Sequence, residues 1–194
     1  MAAVPPRKLA TAGDLLAQPG DRALEVIHGA LVEKAAPAGE HGDAQLGLGE
    51  VLRRGFHRRS GGGGGLPGGW WILVEVDVEL ETHEVYRPDL VGWRRDRMPE
   101  RPRGRPVRVR PDWVCEILSP STARVDLMTK LQVLQRCGVP HYWIVDPDRE
   151  LLTVHRWTDA GYLVVLQATK GQTVRAEPFD AIELRVGVMF GEEE

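Results

Sequence analysis

The chain has 194 residues, 42% of them hydrophobic, enough for a single domain spanning residues 1–194 to bury a core without metal or disulfide staples. A formal net charge of -3 and a pI near 6.1 give no bulk signal for nucleic acid or membrane, and two cysteines, Cys115 and Cys137, are too few for a disulfide framework or a CxxC metal site. No apolar run approaches the roughly 18–20 residues of a membrane span, and the first 20 residues hold no continuous signal-like apolar segment, so a cytoplasmic protein with reduced thiols is expected.

ATAGDLLAQPG reads as a short helix stopped by Pro19 and Gly20, and ALEVIHGALVEK as two strands turning at Gly29, an opening β-hairpin. From Glu40 to His57, apolar residues at 46, 48, 51 and 52 predict an amphipathic helix, against which Gly47 and Gly49 count. RRSGGGGGLPGG is a flexible loop. WWILVEVDVEL, residues 70 to 80, and VYRPDLVGW, residues 85 to 93, are strand candidates expected to pair. Between Arg94 and Arg110 lie eight arginines against Asp96 and Glu100, a local charge of +6 that leaves -9 on the rest of the chain. DWVCEILS and HYWIVD are apolar on both faces, as central strands are, and LLTVHRW, YLVVLQA and EPFDAIELRVGVMF supply further short strands.

PDWVCEILSPSTARVDLMTK concentrates the chemistry. A strand, a helix over 122–137 and a second strand make a crossover unit, so DWVCEILS and HYWIVD are expected to be parallel. At about 100° per residue, Leu127, Leu131 and Leu134 form a helical stripe with Lys130 at its edge, facing the sheet. On the strand, Val114, Glu116 and Leu118 share one face. A carboxylate in that setting needs a partner. One reading is a Glu116–Lys130 ion pair, or Lys130 held by Asp126 on its own helix, without catalysis. The other adds Asp89 from YRPDLVGW, so that two carboxylates on adjacent strands hold Mg²⁺ with a lysine beside them.

A strand with PD, then a strand with an acid near a lysine, resembles the active-site pattern of PD-(D/E)XK nucleases, and in particular their Uma-type restriction-endonuclease family. The resemblance runs through LEVIHGALVE, EHG, GGWWILVEVDVEL, YRPDLVGWRRDRMP, the stretch at 111–130, GVPHYWIVDPDRELLTVHRW and AEPFDAIEL. It implies a mixed central β-sheet flanked by helices, here with an N-terminal β-hairpin extension, and a homodimeric, Mg²⁺-dependent (or Mn²⁺-dependent) DNA endonuclease. It assigns Asp89 and Glu116 to the metal. Leu118 stands where the family's in-line lysine would be, so the catalytic lysine falls to Lys130 on the helix. Glu25 matches an early family acid and is a further metal candidate, with a solvated strand carboxylate as the alternative.

Asp112 lies about 13 Å along the strand from Glu116 and is expected to frame the strand rather than share a metal. Asp126 is an ion-pair partner or lysine orienter and Glu75 an unassigned acid, while His41, in the EHG match, is either a metal-shell residue or a structural or solvent-facing histidine, the second being expected. Arg94, Arg95 and Arg97 head an arginine run that either contacts phosphates or is a solvated loop. The six tryptophans are expected to pack in the core. Alternatives to the endonuclease are a non-catalytic nucleic-acid-binding or interaction protein that keeps the fold, and a structural dimer whose acids are merely salt bridged.

Overall fold

The computed structural model describes residues 8–20, 22–60, 65–120 and 123–192. Residues 61–64 of the expected glycine loop lie outside the described residues. The short helix forms as α1 (Ala12–Leu16), closed by a reciprocal capping box between Thr11 and Asp14. β1 (Leu24–Ile27) and β2 (Ala30–Glu33) make the expected hairpin. Its turn residues, His28 and Gly29, both have positive φ (49° and 71°), which matches the twist of antiparallel strands. The hairpin is not an appendage. β1 also pairs with β5 (Glu84–Tyr86), and β5 with β4 (Val78–Glu81), giving a four-stranded antiparallel sheet in the order β2-β1-β5-β4.

α2 (Gly39–Phe56) buries Ala44, Leu48, Leu52 and Phe56, one residue per turn, against the larger sheet. Gly47, which lowers its helix propensity, is required by packing: a Cβ there would sit 2.0 Å from the carbonyl oxygen of Val188. The larger sheet has six strands in the order β10-β9-β8-β7-β6-β3. These are β3 (Trp70–Val74), β6 (Leu90–Arg94), β7 (Trp113–Ile117), β8 (His141–Asp146), β9 (Leu151–Thr158) and β10 (Gly161–Thr169). β7 and β8 are parallel, as expected of a crossover, and the other neighbours antiparallel. A short ribbon of β11 (Thr173–Val174) and β12 (Leu184–Arg185) follows. Trp113, Trp143 and Phe179 pack edge to face on one side of this sheet, with centroids 5.0 to 5.6 Å apart, which bears out the core role of those tryptophans. Val114, Tyr142 and Ile144 carry the other side.

Two expectations change. Residues 70–80 and 85–93 do pair, but each is two strands. β3 ends at Val74, Glu75 takes a positive φ of 52°, and β4 resumes in the smaller sheet. The partner breaks opposite, at Arg87-Pro88-Asp89, where Pro88 has no amide hydrogen for a ladder and biases Arg87 away from regular geometry. One half of the pairing therefore belongs to each sheet, and the functional residues gather at the split. Second, the helix expected over 122–137 contains a π-helical turn, Val125–Lys130, that runs into α3 (Leu131–Arg136). Its wider turn changes which residues face inward: Leu127 is 44% exposed, while Asp126 and Lys130 are each 2% exposed. Among the described residues no helix is long and apolar enough to cross a membrane.

Candidate active site

Asp89 immediately precedes β6, and β6 meets β7 with Leu90 opposite Cys115, so the next pair in register is Asp89 with Glu116. Asp89 Oδ2 accepts a 2.7 Å hydrogen bond from the Ile117 amide, which fixes the carboxylate against β7. Strand alternation sends Trp113, Cys115 and Ile117 into the core beneath α2 and Glu116 to the opposite face, toward the π turn. There Lys130 Nζ lies 2.9 Å from Glu116 Oε1, 3.0 Å from Glu25 Oε1 and 3.2 Å from Asp126 Oδ1. Glu25 comes from β1 and also accepts the Arg87 amide at 2.7 Å. Both sheets and the π turn therefore supply one buried cluster. Burial opposes the charge on Lys130, but Glu116, Glu25 and Asp126 outweigh it and hold the ammonium well above the usual lysine range. Burial pushes the Glu116 carboxyl well above the usual carboxylate range, with Lys130 pulling the other way.

A second lysine enters from the end of β2. Lys34 Nζ is 2.7 Å from Asp89 Oδ1 and 3.1 Å from Glu75 Oε1, and donates to the Arg87 carbonyl at 2.9 Å. His41 Nε2 stands 3.2 Å from the same Asp89 oxygen, and its buried Nδ1 has no hydrogen-bond partner among the described residues. Burial tends to raise the Asp89 carboxyl, but the His41 hydrogen bond and Lys34 win and hold it below the usual carboxylate range. Lys34, His41, Asp89, Glu116, Glu25, Asp126 and Lys130 all line a cavity of about 120 Å³.

Sequence reasoning placed Lys34 nowhere and set aside His41 as a metal-shell residue in favour of a structural role. The signals were weak ones: alternation after Val32 puts Lys34 on the face of Val32, and EHG opens α2 beside the split. Their partner Asp89 is far away in sequence.

The remaining candidates are engaged elsewhere. Asp112 accepts the Arg94 amide at 2.8 Å and Arg97 Nε at 2.8 Å, a clip between β6 and β7. Arg94 also pairs with Asp96, and Arg95 donates to the Trp70 carbonyl and stacks 3.5 Å over the Trp71 ring. Glu75 sits at the cavity margin on Lys34.

For a divalent cation the donor set fits. Asp89, Glu116 and Glu25 offer hard oxygens to a cavity lined by five carboxylates, with Glu33 and Asp126, against the two ammonium groups of Lys34 and Lys130. Among the described residues no three His, Cys, Asp or Glu side chains stand as a ready coordination shell. The two lysines hold oxygens of Asp89, Glu116 and Glu25 instead.

A mixed central sheet flanked by a few helices is a nuclease-like fold. The same fold occurs in the crystal structure of a putative nuclease belonging to DUF820 from Anabaena variabilis ATCC 29413, with a TM-score of 0.71 and 20% identity over 93% of this chain and 97% of that one. The chain itself belongs to the Uma2 family, described as "Putative restriction endonuclease", whose profile matches residues 12–187. No curated protein matches it.

Proposed function

We propose that the protein is a Mg²⁺-dependent (or Mn²⁺-dependent) DNA endonuclease that hydrolyses phosphodiester bonds, with Asp89 and Glu116 holding the cation, Glu25 at its margin and Lys130 as the catalytic lysine. The observation that carries this reading is the approach of Lys130 to Glu116 from the π turn, on the strand beside Asp89. When bound, the cation would supply Lewis-acid stabilisation of charge developing on the phosphoryl oxygens.

The chain's own residues do the rest. The Ile117 amide holds Asp89 in one orientation, and the Arg87 amide does the same for Glu25. Lys130, kept charged by three carboxylates, is a fixed donor for an attacking water or a phosphate oxygen. Its low exposure means that little reorganisation is needed when charge develops. His41 positions Asp89, and Lys34 covers the same carboxylate oxygen.

The test is cleavage of varied DNA substrates with Mg²⁺ or Mn²⁺, comparing wild type with Asp89→Ala, Glu116→Ala and Lys130→Ala at matched folding. Each substitution is expected to lower the rate by about 100-fold or more, the scale of losing one preorganised electrostatic group. No cleavage by wild type, or equal cleavage by the variants, overturns the reading.

The Lys34–Asp89 pair at 2.7 Å and Leu118 in place of an in-line lysine favour one second reading, a non-catalytic nucleic-acid-binding protein on the same fold. Salt-sensitive binding that survives all three substitutions without cleavage would select it.

A further inference from the structure

A second and larger cavity, about 890 Å³, opens beside the first. Its floor is β3, the edge strand of the six-stranded sheet, through Ile72, Leu73 and Val74. One wall is α2 and the other the loop at 101–107. Glu75 and Gln45 connect this groove to Lys34 and Asp89 of the first cavity. Glu75 accepts from Lys34 at 3.1 Å, Gln45 donates to the Asp89 carbonyl at 2.9 Å, and both side chains also line the groove. The groove therefore ends one side chain from Asp89. The positive φ of Glu75 is what turns the chain out of β3 at that point.

The arginine run sorts cleanly against this groove. Arg94, Arg97, Arg105 and Arg108 are paired with Asp96, Asp112, Asp77 and Glu79. Arg95 is held by Trp70 and Trp71, and Arg110 by the Cys137 carbonyl. Arg101 and Arg103 make no side-chain hydrogen bond or ion pair among the described residues, and neither does Arg53 across from them on α2. All three are exposed and line the groove. Their field reaches His57, where burial and then Arg53, with Arg95 and Arg101, push the imidazole below its usual value. Between the cations lie Leu46, 71% exposed, and Val74, 52% exposed. Glu50 and Glu75 line the same groove, so its three guanidinium groups exceed its carboxylates by one, and guanidinium groups flanking an apolar strip match a polyanion that alternates phosphates with flat or apolar faces.

We propose that this groove binds the nucleic-acid strand flanking the scissile phosphate, with Arg53, Arg101 and Arg103 on its phosphates and Leu46 and Val74 against its sugars and bases. The assignment rests on the nuclease reading for what happens at the Asp89 end, but the binding itself is measured without cleavage. Guanidinium contacts of this kind fix register without reading sequence, so the groove accepts varied sequences.

The probe is a fluorescein-labelled mixed-sequence oligonucleotide, single-stranded and as a duplex, titrated by anisotropy in EDTA across a series of KCl concentrations. Arg53→Ala/Arg101→Ala/Arg103→Ala is expected to weaken binding at least tenfold at about 100 mM salt and to reduce the slope of log affinity against log salt by about 2 to 3. Lys170→Ala, beyond the opposite sheet edge at β10, is expected to bind as wild type. Wild type that does not bind, or a triple variant with wild-type affinity and slope, overturns the proposal. Asp89→Asn separates the two readings. Groove-dependent binding with no cleavage by wild type under Mg²⁺ or Mn²⁺ leaves the groove standing and removes the nuclease. Asp89-dependent cleavage with binding indifferent to the three arginines does the reverse.

Discussion

Lys130 is one cation held by three buried carboxylates, and that count decides what its removal does. A buried pair is worth little net, because desolvation consumes the Coulomb gain, but deleting one partner leaves the others uncompensated. Lys130→Met is therefore expected to destabilise the protein by about 3–5 kcal/mol in urea unfolding, and Lys130→Met/Glu116→Gln by clearly less, because the double variant removes one of the stranded charges. A loss below about 1 kcal/mol for the single variant would show that the cluster is not held by this lysine. Lys34 has a different role. It occupies the Asp89 oxygen that the proposed cation would use. Lys34→Met is thus expected to tighten Mn²⁺ binding, read by calorimetry in the absence of DNA, by about tenfold or 1.4 kcal/mol. Weaker binding in that variant would mean that Lys34 builds the cation site instead of competing for it.

At the level of elements, the legible parts were those set by local pattern. Apolar runs flanking a polar helix gave the parallel β7–β8 crossover, and an Ile-His-Gly-Ala turn between alternating segments gave the β1–β2 hairpin. Glu116 and Lys130 were reachable because β alternation and helical spacing point them toward one region, and Asp89 because its PD motif opens a candidate neighbouring strand. What was not legible depends on distant neighbours. The split of β3 from β4 follows from a sheet change at Glu75, whose own sequence carries no turn residue, although Pro88 opposite was a usable sign. The π turn altered the face that α-helical spacing assigned, so Lys130 came out buried as expected and Leu127 did not.

Glycines in α2 make the same point in a testable form. A Cβ at Gly47 would collide with the Val188 backbone at 2.0 Å, whereas one at Gly42 would meet nothing within 4 Å. Gly42→Ala is expected to stabilise by about 0.5–1 kcal/mol through helix propensity. Gly47→Ala is expected to lower the melting temperature, because the propensity gain is smaller than the cost of displacing backbone. Equal gains from both would mean that α2 does not press on the C-terminal segment as described.

Over the whole molecule, charge is unevenly spread: a carboxylate-rich cavity at the split, a groove with three exposed arginines beside it, and several partly or fully buried imidazoles in the body of the fold. Burial holds His57, His141 and His155 below the usual histidine value of 6.5. A histidine whose folded value is depressed resists protonation in the native state and accepts it when unfolded. Its contribution to stability is therefore complete above pH 6.5 and is lost as pH falls from there through the folded value. Glu116 acts in the opposite direction, since a carboxyl raised by burial favours the folded state at low pH and loses that contribution as pH rises. The net acid response of the wild type mixes the two, so a single histidine must be isolated. His155 suits this: its Nδ1 is 3.1 Å from the Tyr142 carbonyl oxygen and its ring stacks on Tyr142 at 5.9 Å, so phenylalanine keeps the ring packing while removing the titration. His155→Phe loses the hydrogen bond and is expected to be less stable than wild type at pH 7.5. On moving to pH 5.5 the gap should close, at a rate of at most about 1.4 kcal/mol per pH unit less what solvent screening removes. Urea unfolding of both proteins at the two pH values, in EDTA, measures it. A gap that stays constant or widens on acidification would show that His155 is protonated as readily in the native protein as in the unfolded chain, and that its burial against Tyr142 and Tyr162 does not govern its charge.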